Sequence, residues 1–265
     1  MSSPILVTGG TGTLGRLVIP LLRDARDPVR VLSRTHHATA DGVEYVTGDL
    51  TTGAGVDAAV EGVDTIVHLA GTARGDGDKA RTLARAAARA GDAHLVYISV
   101  VGADRVPVTS AVDRAMFGYF ASKLDAERVV EDSGLPWTTL RATQFHELML
   151  FVMRQLAKLP LVPVFKDVRF QPVDAGEVAA RLVELALDKP AGLAPDLAGP
   201  QVYGMDDLVR GYLRATRRRG PIVRLPVPGG AAGAVRAGAN LARDGDVGRR
   251  TWEEFLRDQL RAVRS

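Results

Sequence analysis

The 265-residue chain contains no cysteine, which excludes disulfides, thiolate nucleophiles and Cys-ligated metals. Histidine is sparse as well. His36, His37, His68, His94 and His146 form no His-x-x-x-His or Glu-flanked pattern, so no catalytic metal is expected. Long apolar runs are missing: residues 17–22 and 159–165 are interrupted by proline and far too short to span a bilayer. The chain enters its first apolar segment directly from Met1-Ser2-Ser3-Pro4, without the basic-then-apolar order of a signal peptide. A soluble cytoplasmic protein is expected. Charge of one sign is also scarce. The formal net charge is only +3, and Arg217, Arg218 and Arg219 read as the solvated end of a helix, so neither a nucleic-acid nor a membrane partner is expected.

What the chain does have is an alternation of short apolar runs with helical patterns. Residues 5–7, 29–33, 44–47, 65–69, 94–99 and 137–141 read as six strands, several of them continuous Val/Ile/Leu runs suited to burial on both faces. Helices are expected at 14–23, 56–60, 76–90 and 119–132, with Pro20 kinking or shortening the first. Beyond these, 144–156, 175–187, 205–216 and 251–263 read as helices, 159–167 as a proline-broken loop, and 226–238 has no clear pattern. The fold class is α/β: a Rossmann-type doubly wound parallel sheet with a small, mostly helical C-terminal lobe.

The first strand runs into Thr8-Gly9-Gly10-Thr11-Gly12-Thr13-Leu14-Gly15. Gly9, Gly12 and Gly15 let the chain turn sharply, let a pyrophosphate reach the backbone and let a helix pack on the sheet. The helix N-terminus then offers free N–H groups to phosphate. Gly9, Thr11, Gly12, Thr13, Leu14 and Gly15 are therefore expected to bind a dinucleotide. Strand two ends Val31-Leu32-Ser33-Arg34, with no acid for a ribose 2′-hydroxyl. Arg34 stands where a guanidinium would fork onto a 2′-phosphate, so the cofactor is expected to be NADP(H). Asp49 and Leu50 after strand three, and Leu69, Ala70 and Gly71 after strand four, complete the expected wall. Residues 1–145 are expected to form the NADP(H)-binding core. Residues 146–265 are expected to form a substrate-covering lobe partly continuous with it.

Tyr119 and Lys123 lie four residues apart on one helical face, and Ser99 closes strand five at the carboxyl edge of the sheet. The set suits carbonyl reduction. Tyr119 would donate the proton, Lys123 would lower the tyrosine pKa and hold the nicotinamide ribose, and Ser99 would hydrogen-bond the carbonyl oxygen.

The ordered set Thr8–Gly15, Arg34, Gly48-Asp49-Leu50, His68–Gly71, Tyr97-Ile-Ser99, Tyr119-x-x-x-Lys123, Glu127, Ser133–Trp137 and Leu140–Phe145 resembles the atypical, NmrA-like branch of the short-chain dehydrogenase/reductases, over about residues 4–190. The resemblance implies that Gln144 and Phe145 lie near the nicotinamide and that the C-terminal lobe sets specificity; His146 and Phe165 are guesses for that pocket. It departs at Ala142, where proline is usual, and at a long stretch 103–117, expected as a lid. The leading expectation is an NADPH-dependent oxidoreductase, monomer or homodimer, reducing a carbonyl or enone of a small organic molecule. The alternatives are a non-catalytic NADP(H)-binding redox sensor and a nucleotide-sugar epimerase or dehydratase holding NAD.

Overall fold

The computed structural model describes residues 3–25, 28–39, 42–72 and 74–262. By its internal contacts the chain divides into two compact units, Met1–Ser99 with Gly118–Arg141 and Gly176–Ala194, and Val100–Phe117 with Ala142–Ala175 and Pro195–Ser265.

The first unit carries β1 (Ile5–Thr8), α1 (Gly15–Asp24), β2 (Val29–Ser33), β3 (Val43–Thr47), α2 (Val56–Val60), β4 (Thr65–His68), α3 (Asp76–Ala90), most of β5 (His94–Val100), most of α4 (Ala111–Glu131) and most of β6 (Trp137–Ala142). The strand order is β6-β5-β4-β1-β2-β3, the doubly wound arrangement whose order reverses between β1 and β4. The register is parallel throughout β4-β1-β2-β3, with Thr8 level with Leu32 and His68. β1 is buried along its length, as is β5, because helices cover both faces of a parallel sheet. Leu6, Ile66, Leu83 and Leu95 are fully enclosed in one core layer, each contributing about 1.5–3 kcal/mol by burial. Gly192–Leu193 adds a short parallel strand to β6 at Thr138 and Thr139.

Two expectations need correction here. Pro20 does not shorten α1, which runs on to Asp24. Pro20 is exposed, so the Arg16 carbonyl it leaves without an intrahelical donor can be hydrated. The helix carrying Tyr119 also begins at Ala111 rather than 119, which takes half of the expected lid into helix. The reason is a capping box. The Ser110 Oγ accepts from the Asp113 amide at 3.0 Å, and Asp113 Oδ2 accepts from the Ser110 amide at 3.1 Å.

In the second unit, residues 162–165 form a strand instead of a loop, paired in parallel with Ile222–Leu225. Val162 and Lys166 donate to Pro221 and Leu225. Pro163 falls on the alternate positions that point away from the partner, where a missing N–H costs nothing. The patternless 226–238 stretch contains the helix Gly230–Arg236. Helices His146–Leu156, Met205–Ala215 and Trp252–Ala262 bury Met153, Leu208, Trp252 and Phe255 in a second core. Val263, the expected end of the last helix, lies outside the described residues.

Candidate functional site

The loop after β1 is shaped by its glycines. Gly9 has φ +74°, and a Cβ there would stand 2.7 Å from the Ala70 nitrogen and 2.8 Å from the Leu69 carbonyl carbon. Only a residue without a side chain lets this turn cross the end of β4. A Cβ at Gly15 would collide with the backbone of Gly9 and Gly10, so α1 starts tight against the turn. Gly12 donates to the Gly9 carbonyl at 3.0 Å, and its own Cβ would meet nothing but that oxygen, at 3.2 Å. α1 has no side-chain N-cap, and the amides of Thr13 and Leu14 donate to nothing among the described residues. Unoccupied helix N-terminal amides beside an open glycine surface are suited to an anion.

This turn forms one end of a cavity of about 360 Å³ at the carboxyl ends of β1, β2 and β4. Gly9, Thr11, Gly12, Arg34, Asp49, Leu50, Leu69, Ala70 and Gly71 all line it, as the motif spacing predicts. Thr13 is exposed, whereas Leu14 and Gly15 are buried in the first turn of α1. Asp49 Oδ1 accepts the Thr51 amide at 2.8 Å. That bond, helped by the Arg34 and Lys79 charges and opposed by desolvation, holds the carboxyl below its ordinary pKa. Lys79 is a second cation in the wall that the motif reading missed; its Nζ donates to Thr72 Oγ1 at 2.6 Å. Glycine at the anion end and cations along the wall suit the phosphates of a dinucleotide.

Ser99, Tyr119 and Lys123 belong to the same unit. Ser99 is buried, and its Oγ has no hydrogen-bond partner. Tyr119 keeps 41% of its surface, and its hydroxyl makes no hydrogen bond among the described residues. Lys123 is almost wholly buried. Its Nζ donates to the Tyr97 hydroxyl at 3.2 Å and the Ile98 carbonyl at 3.1 Å, and pairs with Asp76 Oδ2 at 3.3 Å. It lies 5.8 Å from the centre of the Tyr119 ring.

The expected lowering of the Tyr119 pKa is not what this geometry gives. Partial desolvation and the Asp76 charge push the phenol up rather than down. The Lys123 charge is compensated by Asp76 before it can act on the phenol. Burial pushes the Lys123 ammonium down, against Asp76 and Glu127, which pull it up. Behind this cluster His68, fully buried and bonded to Thr8 Oγ1 at 2.7 Å, is pushed down to about 3 by burial and by the Lys123 and Lys79 charges.

Asp76 and Tyr97 were not foreseen as site residues. Asp76 reads in sequence as a first-turn acid of α3, and nothing local shows that its partner is 47 residues on. In the second unit, Gln144 lends its carbonyl to Val173, Phe145 bridges Val173, and the Gln144 Oε1 is buried without a partner. Phe165 lines a cavity of about 470 Å³ with Arg169, Arg224 and Arg236. His146 does not. It is fully buried, stacked 5.0 Å from Phe255, and burial drives it down to about 4. That is a core position. Among the described residues no helix is long and apolar enough to cross a membrane, and no cluster of three acidic or His side chains could hold a metal.

Comparison with known proteins agrees with this architecture. The chain is 32% identical over 202 residues to a (4-alkanoyl-5-oxo-2,5-dihydrofuran-3-yl)methyl phosphate reductase of Streptomyces griseus, covering 74% of this chain and 68% of that protein. It is 32% identical over 252 residues to a ceramide reductase of Caulobacter vibrioides, covering 85% and 74%. In fold it matches an Escherichia coli NADPH-dependent quinone oxidoreductase in complex with NADPH, at TM-score 0.79 and 18% identity over 97% and 99% of the two chains. The model of the NAD(P)H-binding family matches residues 9–148. With the glycine turn, the cavity beside it and these reductase relatives in one frame, the chain belongs to the NAD(P)H-binding family.

Proposed function

We propose that the protein is an NADPH-dependent reductase of a carbonyl or conjugated enone in a small organic molecule. The observation that carries this reading is the cavity at the β1/β4 switch point, whose wall holds Arg34 and has no acid at the end of β2. The free amides at the start of α1 would take the diphosphate, and Arg34 the 2′-phosphate, by charge-assisted hydrogen bonds. Asp49, in the same wall, would accept from the adenine amine. Lys123 would hold the nicotinamide ribose.

NADPH, when bound, supplies the hydride. The residues supply the proton and the polarisation. A phenol pushed above its ordinary value stays protonated at neutral pH, so Tyr119 is read as a proton donor rather than a base. Ser99 offers a buried hydroxyl with no other partner to the substrate carbonyl oxygen. The relatives named for reducing a dihydrofuranone phosphate and ceramide, with an azoreductase of Xenophilus azovorans at 29% identity, point to small organic acceptors.

The test is Tyr119→Phe with NADPH and a panel of enones, quinones and ketones. Turnover is expected to fall by about 10²-fold or more, the usual worth of a general acid, with NADPH affinity unchanged. An unaffected rate removes Tyr119 from the mechanism.

A further inference from the structure

Lys123 is a cation with almost no access to water, and the chemistry above does not explain how it stays one. Its counter-ion is Asp76, which is itself fully enclosed. The Asp76 carboxylate is fixed from its other side. Oδ1 accepts the Thr72 amide at 2.7 Å, and Lys79 stands 3.7 Å from that oxygen. The Asp76 amide donates to Ser122 Oγ at 3.1 Å, so the start of α3 is tied to α4 at the residue next to Lys123. Gly71, in the cavity wall, completes the arrangement: a Cβ there would lie 3.0 Å from the Lys123 nitrogen and 3.1 Å from Asp76 Oδ2. The ion pair thus lies one glycine behind the cavity surface. As a stabilising device this would be poor, because apolar side chains of similar volume usually replace a buried ion pair without loss.

We propose that Asp76 is a positioning residue of the cofactor site, which keeps the Lys123 ammonium charged and aimed at the cavity behind Gly71. The inference rests on the reading of Lys123 as the residue that holds the cofactor ribose. The charged and titratable groups facing Lys123 are Asp76 and Lys79 from α3, Tyr97 from β5, His68 from β4, and Tyr119 and Glu127 from α4; Asp125 of α4 acts on the neighbouring Tyr97. Glu127 is already held by Arg141 at 2.7 and 2.9 Å. Asp76 is left as the carboxylate in direct contact with the ammonium.

The test is the pH dependence of NADPH binding, followed by cofactor fluorescence from about pH 7 to pH 11 across the usual lysine range. A Tyr119→Phe background removes the neighbouring phenol. In the Asp76→Asn variant the alkaline loss of affinity is expected to move down by about one pH unit or more, the usual effect of losing an adjacent opposite charge. Binding at neutral pH should weaken as well, because the ammonium loses the contact that aims it, and Asp76→Glu should restore most of the midpoint. A midpoint unmoved in a folded Asp76→Asn variant overturns the proposal. If that variant does not fold, Asp76→Ser removes the same charge and keeps a hydroxyl for the Thr72 amide, and the same two outcomes apply. Lys123→Met separates the two ideas. It should abolish the alkaline transition, and if instead it binds NADPH like the parent at every pH, the reading of Lys123 itself falls.

Discussion

The proposed preference for NADPH rests on one exposed guanidinium. Arg34 follows β2, lines the cavity, and makes no hydrogen bond or ion pair among the described residues, while the nearest acid, Asp49, is bonded to Thr51. A hydrogen bond to a charged group is worth roughly 1.5–3 kcal/mol. Arg34 is solvated, so the lower half of that range applies, about 1.5–2 kcal/mol, or roughly 10- to 30-fold in Kd. Arg34→Ala should therefore weaken NADPH by that factor and NADH by no more than about twofold, since NADH lacks the phosphate. The wild-type affinity for NADPH should also fall with added salt more steeply than that of the mutant, because the lost contact is between solvent-screened charges. Calorimetric titration of both cofactors into both proteins decides the matter. Equal affinity of the wild type for NADH and NADPH, or an Arg34→Ala variant within twofold of wild type for NADPH, refutes the assignment.

Three further perturbations follow from the geometry. Gly9→Ala must hold a positive φ and place a Cβ 2.7 Å from the Ala70 nitrogen; it should cost at least about 1–2 kcal/mol, read as a lower urea midpoint, and should abolish NADPH binding. Glu127→Ala removes both acceptor oxygens of a bidentate pair with Arg141 whose side chains are only 10% and 13% exposed, and should cost about 1.5–3 kcal/mol, the worth of hydrogen bonds between charged groups, whereas a loss under about 1 kcal/mol would show the pair to be well hydrated. His68 and His146 are neutral when folded, at about 3 and about 4. Their folded pKa values lie below the unfolded one, so the stability they confer is complete above pH 6.5 and is lost as pH falls. At about pH 5 each would have given up roughly 2 kcal/mol. Denaturation at neutral and acid pH, with His146→Phe recovering about half of the difference, checks this.

The part of the molecule legible in sequence is the part whose signals are local. β1 announces itself by a buried apolar run that ends in glycine, and the turn after it by a spacing that only a crowded backbone requires. What stayed hidden depends on partners far along the chain. Val162–Phe165 reads as a loop because of Pro160 and Pro163, and only its pairing with Ile222–Leu225 shows that Pro163 faces away from the ladder. Asp76 looks like an ordinary helix-start acid until Lys123 is beside it. The early start of α4 is a different case. Its capping box, Ser110 with Asp113, is a local pattern and was there to be read. His146 is a candidate for the substrate pocket through the family resemblance alone, and no local signal shows that it is enclosed by Phe255 and Trp252.

The last strand of the cofactor-binding unit has a consequence for how the protein is born. Gly192–Leu193 pairs with β6, the Ala191 amide donates to Thr138 Oγ1 at 2.9 Å, and the Ala194 amide donates to the Thr139 carbonyl at 3.0 Å. The edge of β6 is therefore unpaired until residue 194 has left the ribosome, long after the glycine turn and Lys123 have emerged. At about 5–20 residues per second, the roughly 50 residues between β6 and that strand leave an open sheet edge for seconds. During that time the nascent chain is at its most exposed to edge-to-edge association, and slowed translation through residues 142–191 should lower the soluble yield more than slowing anywhere earlier.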